Sequence, residues 1–526
     1  MEPSTIQENL ENSTKPIQDH FLYPLFYPHN IVIVGASTVP NMGVSLYLDT
    51  YKKYGYGITR APRIYPVNPK YGGQKIYGLW ECFSSLNDIP EPIDVVLCCI
   101  NARYVANLLK ECDVVGAKFL VIYTSGFSEV GERGIPYTQE LKALLKARPT
   151  TRVIGPNCFG AVNAQIDLNF NQFAPLLSGY FSIFSQSGGF ANTLVEHSVT
   201  RGLGINLGLS VGNMIDVDMN DFLEFCLQDP QTHVIGFYLE SLQTKEKAQY
   251  FLKLLKQTTH QKPVVILKGG TTQRGAKSCL SHTGAIAGAA TLYKAALEQA
   301  GAIVVKNSIE FYDIAHFLSM LLPDKLPKGN KTCAMVPGGG ASVEIADLLS
   351  DAGLEFPDLT AKTQKNLVHL LQEINTSFSN PIDTGAYGIL PEFFLQAIKL
   401  LLEEKEIDLF LPYLQVSRIQ RLGTAYRQFA GSFARSLGRL TRTTTKPIIL
   451  INRVDRELED IIRENNKLKE ILYRLQIPHI PTIPRLQAVI PYLLKYSKFY
   501  FKNHPPQGAA CSLKNTLLIN SQQNPF

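Results

Sequence analysis

The chain has 526 residues and a mass of 58.5 kDa, which at ~100–200 residues per domain predicts roughly three or four domains. Hydrophobic residues make up 45% and charged residues 18%, which excludes a disordered, collagen-like or coiled-coil chain. Lys+Arg 51 against Asp+Glu 45 leaves only +6, and no long basic stripe interleaves with aromatics, which argues against a nucleic-acid partner. In chain order, residues 1–22 are polar, lack the pattern of a signal peptide and are expected to form a flexible tail. No apolar run approaches the ~18–20 residues that span a membrane, so a cytoplasmic protein is expected.

Short apolar runs then alternate with helical patterns. Ile31–Val34, the stretch ending at Tyr65–Pro69, Asp94–Ile100, Phe119–Tyr123 and Arg152–Ile154 read as strands, with an amphipathic segment at Tyr104–Cys112. Such alternation predicts βαβ units and a parallel sheet, placed over residues 23–175. A second unit, 176–325, starts with a strand at Tyr180–Phe184, a Ser/Gly turn and a helix reaching Arg201; Val234–Leu239 and Pro263–Leu267 are further strands. Leu322–Asn330, rich in Pro, Gly and charge, reads as a linker. A third unit, 330–500, opens with a strand at Thr332–Val336, a glycine turn and a helix at Val343–Ala352. Leu440–Asn452 and Ile480–Ile490 continue the alternation, and 501–526 reads as a polar tail. The second and third units repeat one plan: strand, Gly/Ser turn, helix ending at Gly-Leu, and an Asp-bearing loop. This predicts duplicated flavodoxin-like domains.

Nine cysteines occur without any CxxC pair, which disfavours a disulfide framework or a zinc site; Cys98 and Cys99 read as buried thiols. The sequons at Asn12 and Asn375 are taken as chance. The segment Gly270–Ser278 imitates a P-loop, but Ala276 separates the second glycine from Lys277, so the lysine is one position out of reach. Gly35-Ala36-Ser37 after a strand can aim backbone N–H groups at an anion, yet lacks the GxGxxG spacing of a dinucleotide site. Ser185-Gln186-Ser187-Gly188-Gly189 and Gly338-Gly339-Gly340-Ala341-Ser342 are two further turns of the same type. His282, among the small residues Ser281, Thr283, Gly284 and Ala285, is the one histidine set in small surroundings that leave an imidazole accessible. Two turns and one such histidine suggest a phosphate held between helix N-termini.

With these segments in view, the chain resembles the alpha subunit of NDP-forming acyl-CoA synthetases, in particular the ADP-forming acetate–CoA ligase family, and more distantly succinyl-CoA synthetase alpha. The matching segments are IVIVGAS with NMG, YPVNPKYGG, YTSGFSEVGERG, VIGPNCFGAVN, FSQSGGF, FYLES, LKGG, SHTGAIAG, PGGGASVEIAD and NPIDTG, in order from Ile31 to Gly385. The resemblance implies a Rossmann-like CoA-binding domain followed by two flavodoxin-like CoA-ligase domains. It implies the reaction acyl-CoA + ADP + phosphate ⇌ carboxylic acid + CoA + ATP, through an acyl phosphate and a phosphohistidine. His282 matches the phosphorylated histidine and Glu240 the acid that holds it. Ser185–Gly189 and Gly338–Ser342 match the phosphate-binding turns. CoA contacts fall on Gly35, Ala36, Ser37, Asn68, Pro69, Lys70, Ile100, Asn101, Ser125, Gly126 and Phe127. Ile100-Asn101-Ala102-Arg103 departs from the usual Val-Pro, and Val336-Pro337 stands before the third-domain glycines where many relatives have Asn-Ala.

No stretch resembles an ATP-grasp domain. The resemblance therefore implies a separate ATP-grasp beta subunit in an α2β2 assembly, with Mg2+ and nucleotide bound there and no metal on this chain. A non-catalytic CoA-binding regulatory or scaffold protein and a citrate- or succinate-type ligase subunit are the alternatives. The acyl group is left open.

Overall fold

The computed structural model describes residues 16–37, 42–170, 176–275, 277, 290–371, 376–385, 390–419, 423, 429–454 and 458–505. Its strands in chain order are β1 (Asn30–Val34), β2 (Arg63–Val67), β3 (Lys75–Ile76), β4 (Trp80–Glu81), β5 (Val95–Cys98), β6 (Phe119–Ile122), β7 (Arg152–Ile154), β8 (Gly160–Asn163) and β9 (Ser178–Ser185). They continue with β10 (Ile205–Ser210), β11 (Val234–Leu239), β12 (Val264–Lys268), β13 (Ile303–Val305), β14 (Thr332–Val336), β15 (Ile382–Asp383), β16 (Leu409–Gln415), β17 (Leu450–Arg453) and β18 (His479–Ile480). Most are short apolar runs buried on both faces, as parallel strands covered by helices must be.

Three large sheets result among the described residues, and one topology recurs in them. The first has the order β2-β1-β5-β6-β7, the second β13-β12-β11-β9-β10-β8 and the third β15-β14-β16-β17-β18. Counting strands within each unit, every sheet contains the doubly wound order 2-1-3-4-5, with parallel pairing. In that order the chain leaves the first strand to one side and returns to the other. A crevice opens at the carboxyl ends of strands one and three, where ligands of such sheets sit. The three crevices lie at β1/β5, β9/β11 and β14/β16.

Two features depart from the sequence reading. β3 and β4 form a small antiparallel hairpin. β8 follows β7 by a few residues yet leaves the first sheet and pairs antiparallel with β10 in the second. At the junction of these two units Asp216 accepts from Arg152 Nε at 2.9 Å and Nη2 at 3.0 Å, and from the Val153 N–H at 2.8 Å.

The helix Ser308–Leu321 packs on the second sheet and against the helix Ile483–Asn503 of the third unit. Arg485 reaches across to Asp313, with Nε at 2.8 Å. His316 Nδ1 donates to the Gly202 carbonyl at 2.9 Å and Nε2 accepts the His479 N–H at 3.3 Å, which defines a neutral ring. Burial holds the His316 pKa down to about 4.

Among the described residues no helix is long and apolar enough to cross a membrane. Among the same residues no group of three or more His, Cys, Asp or Glu is placed to hold a metal ion.

Candidate functional site

At the first crevice the turns after β1 and β5 touch. Gly35 has φ +95°, and a Cβ there would lie 2.9 Å from both the Cys99 carbonyl oxygen and Ile100 Cγ2, so only glycine fits. Asn68, just past β2, donates from Nδ2 to the Ala36 carbonyl at 2.7 Å and accepts the Lys70 N–H at 3.0 Å. The Thr124 hydroxyl donates to the Ile100 carbonyl at 2.6 Å, tying β6 to the same place, and the Asn101 side chain caps Arg103 N–H at 3.2 Å. Gly35–Ser37, Asn68–Lys70, Ile100–Asn101 and Ser125–Phe127 thus all stand at carboxyl ends of neighbouring strands. Pro69, Lys70, Asn101 and Ser125 are exposed there.

Phe127 behaves differently. Its ring is fully buried, so it can meet a ligand only through its backbone. Its N–H already donates to Glu129 Oε1 at 3.0 Å, as does that of Gly126 at 2.6 Å. The other oxygen of Glu129 accepts from Asn213 Nδ2 of the second unit at 2.5 Å. Glu129 and Asn213 were not singled out from the sequence, because their pairing spans 84 positions.

The second crevice gathers the Ser185–Gly189 turn and Glu240. The helix Gly188–Arg201 begins at this turn, so its first N–H groups have no partner within the helix. Ser185 Oγ donates to the Ser187 carbonyl at 2.7 Å and Ser187 Oγ accepts the Phe190 N–H at 3.3 Å. The structure gives Gln186 a role other than direct phosphate contact. Its side chain is buried, and Oε1 accepts the N–H groups of Glu240 and, at 3.0 Å, Ser241. Gln186 therefore fixes the backbone that carries Glu240.

Glu240 is half-buried. Tyr238 Oη lies 3.4 Å from its Oε1, and Lys268 Nζ donates to its carbonyl at 2.7 Å. A Cβ on Gly269 would sit 3.5 Å from Glu240 Cγ, which places the side chain beside the strand end that leads into the histidine loop. His282 itself lies outside the described residues.

The segment from Val211 to Val217 stitches the first two crevices together. Val211 N–H donates to the Ser185 carbonyl at 3.0 Å, Asn213 N–H to Pro156 at 2.9 Å and Ile215 N–H to Gly155 at 2.9 Å. Nearby thiols are inert: burial pushes Cys98 up to about 11 and Cys158 up to about 12, so neither supplies a thiolate near neutrality. Burial, with Asp218 beside it, raises Asp221 to about 7, but its carboxylate accepts the Asp218 N–H at 2.9 Å in a helix cap.

At the third crevice the helix starts earlier than expected, at Gly339 rather than Val343. Gly338 alone leaves helical space, at φ 139° and ψ 142°, and its carbonyl accepts the Ala341 and Ser342 N–H groups. Ser342 Oγ donates to the Pro381 carbonyl at 2.9 Å and Arg418 Nη1 to Pro337 at 2.9 Å. Asp383, at the end of β15, lies at this N-terminus: its Oδ2 is 3.4 Å from where a Gly339 Cβ would be. Asn380 before it accepts the Ala334 N–H at 3.1 Å and donates to Thr332 and Pro357 carbonyls, so the NPIDTG motif is here an architectural clamp.

Two family models match the chain, a CoA binding domain over residues 29–164 and a succinyl-CoA ligase like flavodoxin domain over 178–318. The chain is 30% identical over 387 residues to ADP-forming acetate–CoA ligase II subunit alpha of Pyrococcus furiosus, covering 73% of this chain and 80% of that one. It belongs to the ADP-forming acetate–CoA ligase alpha-subunit family. Against the ADP-forming acetate–CoA ligase I of Archaeoglobus fulgidus, at 32% identity, it spans 54% of that longer chain. A solved structure of Ca. Korarchaeum cryptofilum dinucleotide forming acetyl-coenzyme A synthetase 1, in complex with phosphate and ADP, superposes with a TM-score of 0.76 at 27% identity, covering 92% of this chain and 99% of that chain. The first two sheets of this family member thus coincide with a CoA-binding and a flavodoxin-like ligase domain, and the third repeats the flavodoxin-like strand order.

Proposed function

We propose that the chain is the alpha subunit of an ADP-forming acyl-CoA synthetase, converting acyl-CoA, ADP and phosphate to carboxylic acid, CoA and ATP. The observation that carries this reading is the second crevice, where a helix N-terminus and the Gln186-held Glu240 share one strand-end cleft. CoA occupies the first crevice, with its phosphates toward Gly35–Ser37 and the adjoining strand ends. A phosphate oxygen attacks the thioester carbonyl; the C–O bond forms, the C–S bond breaks and CoA leaves as thiolate. A His282 ring nitrogen then takes the phosphoryl group as the carboxylate leaves, and the ADP β-phosphate oxygen takes it in turn.

In this scheme Glu240 accepts the ring N–H of His282, leaving the other nitrogen's lone pair for attack. Backbone N–H groups at the Ser185–Gly189 turn, and more weakly at Gly338–Ser342, oppose the charge on the transferring phosphoryl group. The nucleotide, with Mg2+, sits on an ATP-grasp beta subunit in an α2β2 complex in the cytoplasm. The test is acid-labile labelling of the full chain by radioactive phosphate in the presence of acetyl-CoA. His282→Ala is expected to abolish the label; label that persists in that variant overturns the mechanism.

A further inference from the structure

Between the first and second crevices lies a pair of rings that the scheme above leaves unused. Tyr123 directly follows β6 and Phe159 belongs to the loop between β7 and β8; both are half-buried and their ring centroids are 5.7 Å apart. A Cβ on Gly43, in the first turn of the helix Met42–Tyr54, would lie 3.1 Å from Tyr123 Cε1. A Cβ on Gly188, the first residue of the helix Gly188–Arg201, would lie 2.9 Å from Phe159 Cε2. The two rings therefore form a continuous wall from the helix N-terminus of the CoA side to the helix N-terminus of the phosphate side. With CoA and phosphate seated as proposed above, a thioester joining those seats lays its acyl group along this wall.

Phe159 is held from both units. The Tyr47 hydroxyl donates to its carbonyl at 2.9 Å, and its N–H donates to Ser210 Oγ at 3.2 Å. Behind it the Phe170 ring stacks at 4.9 Å. Two small cavities flank Phe170. One, of about 20 Å³, is lined by Phe159, Phe170 and Tyr47 among others. The other, of about 10 Å³, reaches Ser185 and Ser210. Either volume holds about one water at most. The space behind Phe159 is thus filled by packed side chains, with the Phe170 ring stacked directly on it.

We propose that Phe159 sets the size of the acyl group, admitting short aliphatic acyl thioesters and excluding arylacyl ones. This rests on the reading that CoA and phosphate occupy the first two crevices. Removing the ring leaves a void of phenyl shape that opens toward the first of these cavities and that a phenylacetyl group can refill.

The experiment is calorimetric titration of the full chain, without phosphate so that the thioester stays intact, using CoA, acetyl-CoA and phenylacetyl-CoA. Wild type is expected to bind CoA and acetyl-CoA and to discriminate against phenylacetyl-CoA. Phe159→Ala is expected to shift the acetyl-to-phenylacetyl Kd ratio by ~10-fold or more toward the aryl thioester, within the span that pocket-size changes command. Phe159→Leu, which keeps more of the packing on Phe170, is expected to fall between and carries the test if the alanine variant does not fold. CoA affinity should be the same in all three. An unchanged ratio with CoA still bound, or wild type binding both thioesters equally, overturns the proposal and leaves Phe159 a packing residue. Absence of CoA binding by wild type overturns the underlying functional reading instead.

Discussion

The second and third crevices are built on the same strand order and the same Gly/Ser turn, but they differ in where they keep a carboxylate. In the second, Glu240 follows the third-position strand, and its backbone is secured by the buried Gln186. The third has Arg418 shortly after the equivalent strand, and its acid, Asp383, comes from the neighbouring β15 and stands against the helix start. A carboxylate at that place favours the helix dipole and competes with any other anion. The two crevices share the turn and differ in what stands against it. The second crevice holds its carboxylate beside the strand end that leads into the histidine loop, and the third holds it against the helix start.

The largest expected effect separates the two through Gln186. Gln186→Leu strips the Glu240 and Ser241 N–H groups of their acceptor, at ~1–3 kcal/mol for each such group when buried. A loss of about 2–3 kcal/mol in denaturant titration is expected, with faster amide exchange at residues 240 and 241 and slower phosphate labelling. Exchange at those amides equal to wild type would remove Gln186 from its positioning role.

Glycine replacement gives a smaller effect of opposite sign in the two turns. Gly338→Ala forces an alanine into φ 139°, where nothing crowds the new Cβ, so the cost is backbone strain alone, about 1–3 kcal/mol. Gly189→Ala sits in a helical turn with its nearest neighbour 4.0 Å away and is expected to gain up to ~1 kcal/mol by limiting the unfolded chain. Equal melting shifts for the two variants would erase the distinction.

The smallest change tests the occupant itself. Asp383→Asn removes the charge at the third helix start and should cost ~0.3–1 kcal/mol, diminishing in high salt. A salt-independent loss would assign Asp383 a purely hydrogen-bonding role, through its 2.9 Å acceptance of the Gly385 N–H.

Much of this architecture was legible in the amino-acid order, and particular elements show why. Arg152–Ile154, Val234–Leu239 and Thr332–Val336 were read to the residue, because buried parallel strands are unbroken apolar runs bounded by turn residues. The helix at Gly339 was placed four residues late, since a glycine run signals a turn although only Gly338 leaves helical space. β8 was missed: its four residues carry no strand signature, and its partner β10 lies in the other unit. For the candidate site, the motifs singled out from the sequence fall where the described strands end, at the three crevices. The side-chain work of Gln186 was not visible, since its partner lies 54 positions away and only the fold joins them.

The excursion of β8 bears on how this chain can be divided. Gly160–Asn163 covers the outer edge of β10, whose Leu207–Ser210 backbone would otherwise face solvent as an open template. A fragment ending after β8 would carry Gly160–Asn163 away with the first sheet, while the complementary fragment would start with a bare edge, inviting strand exchange between copies. A clean cut has to fall between Ile154 and Gly160, so that the border strand travels with the sheet it completes rather than with the one it follows. Read as a modular assembly, the chain has overlapping parts, and its second module cannot be transplanted without a segment borrowed from the end of the first.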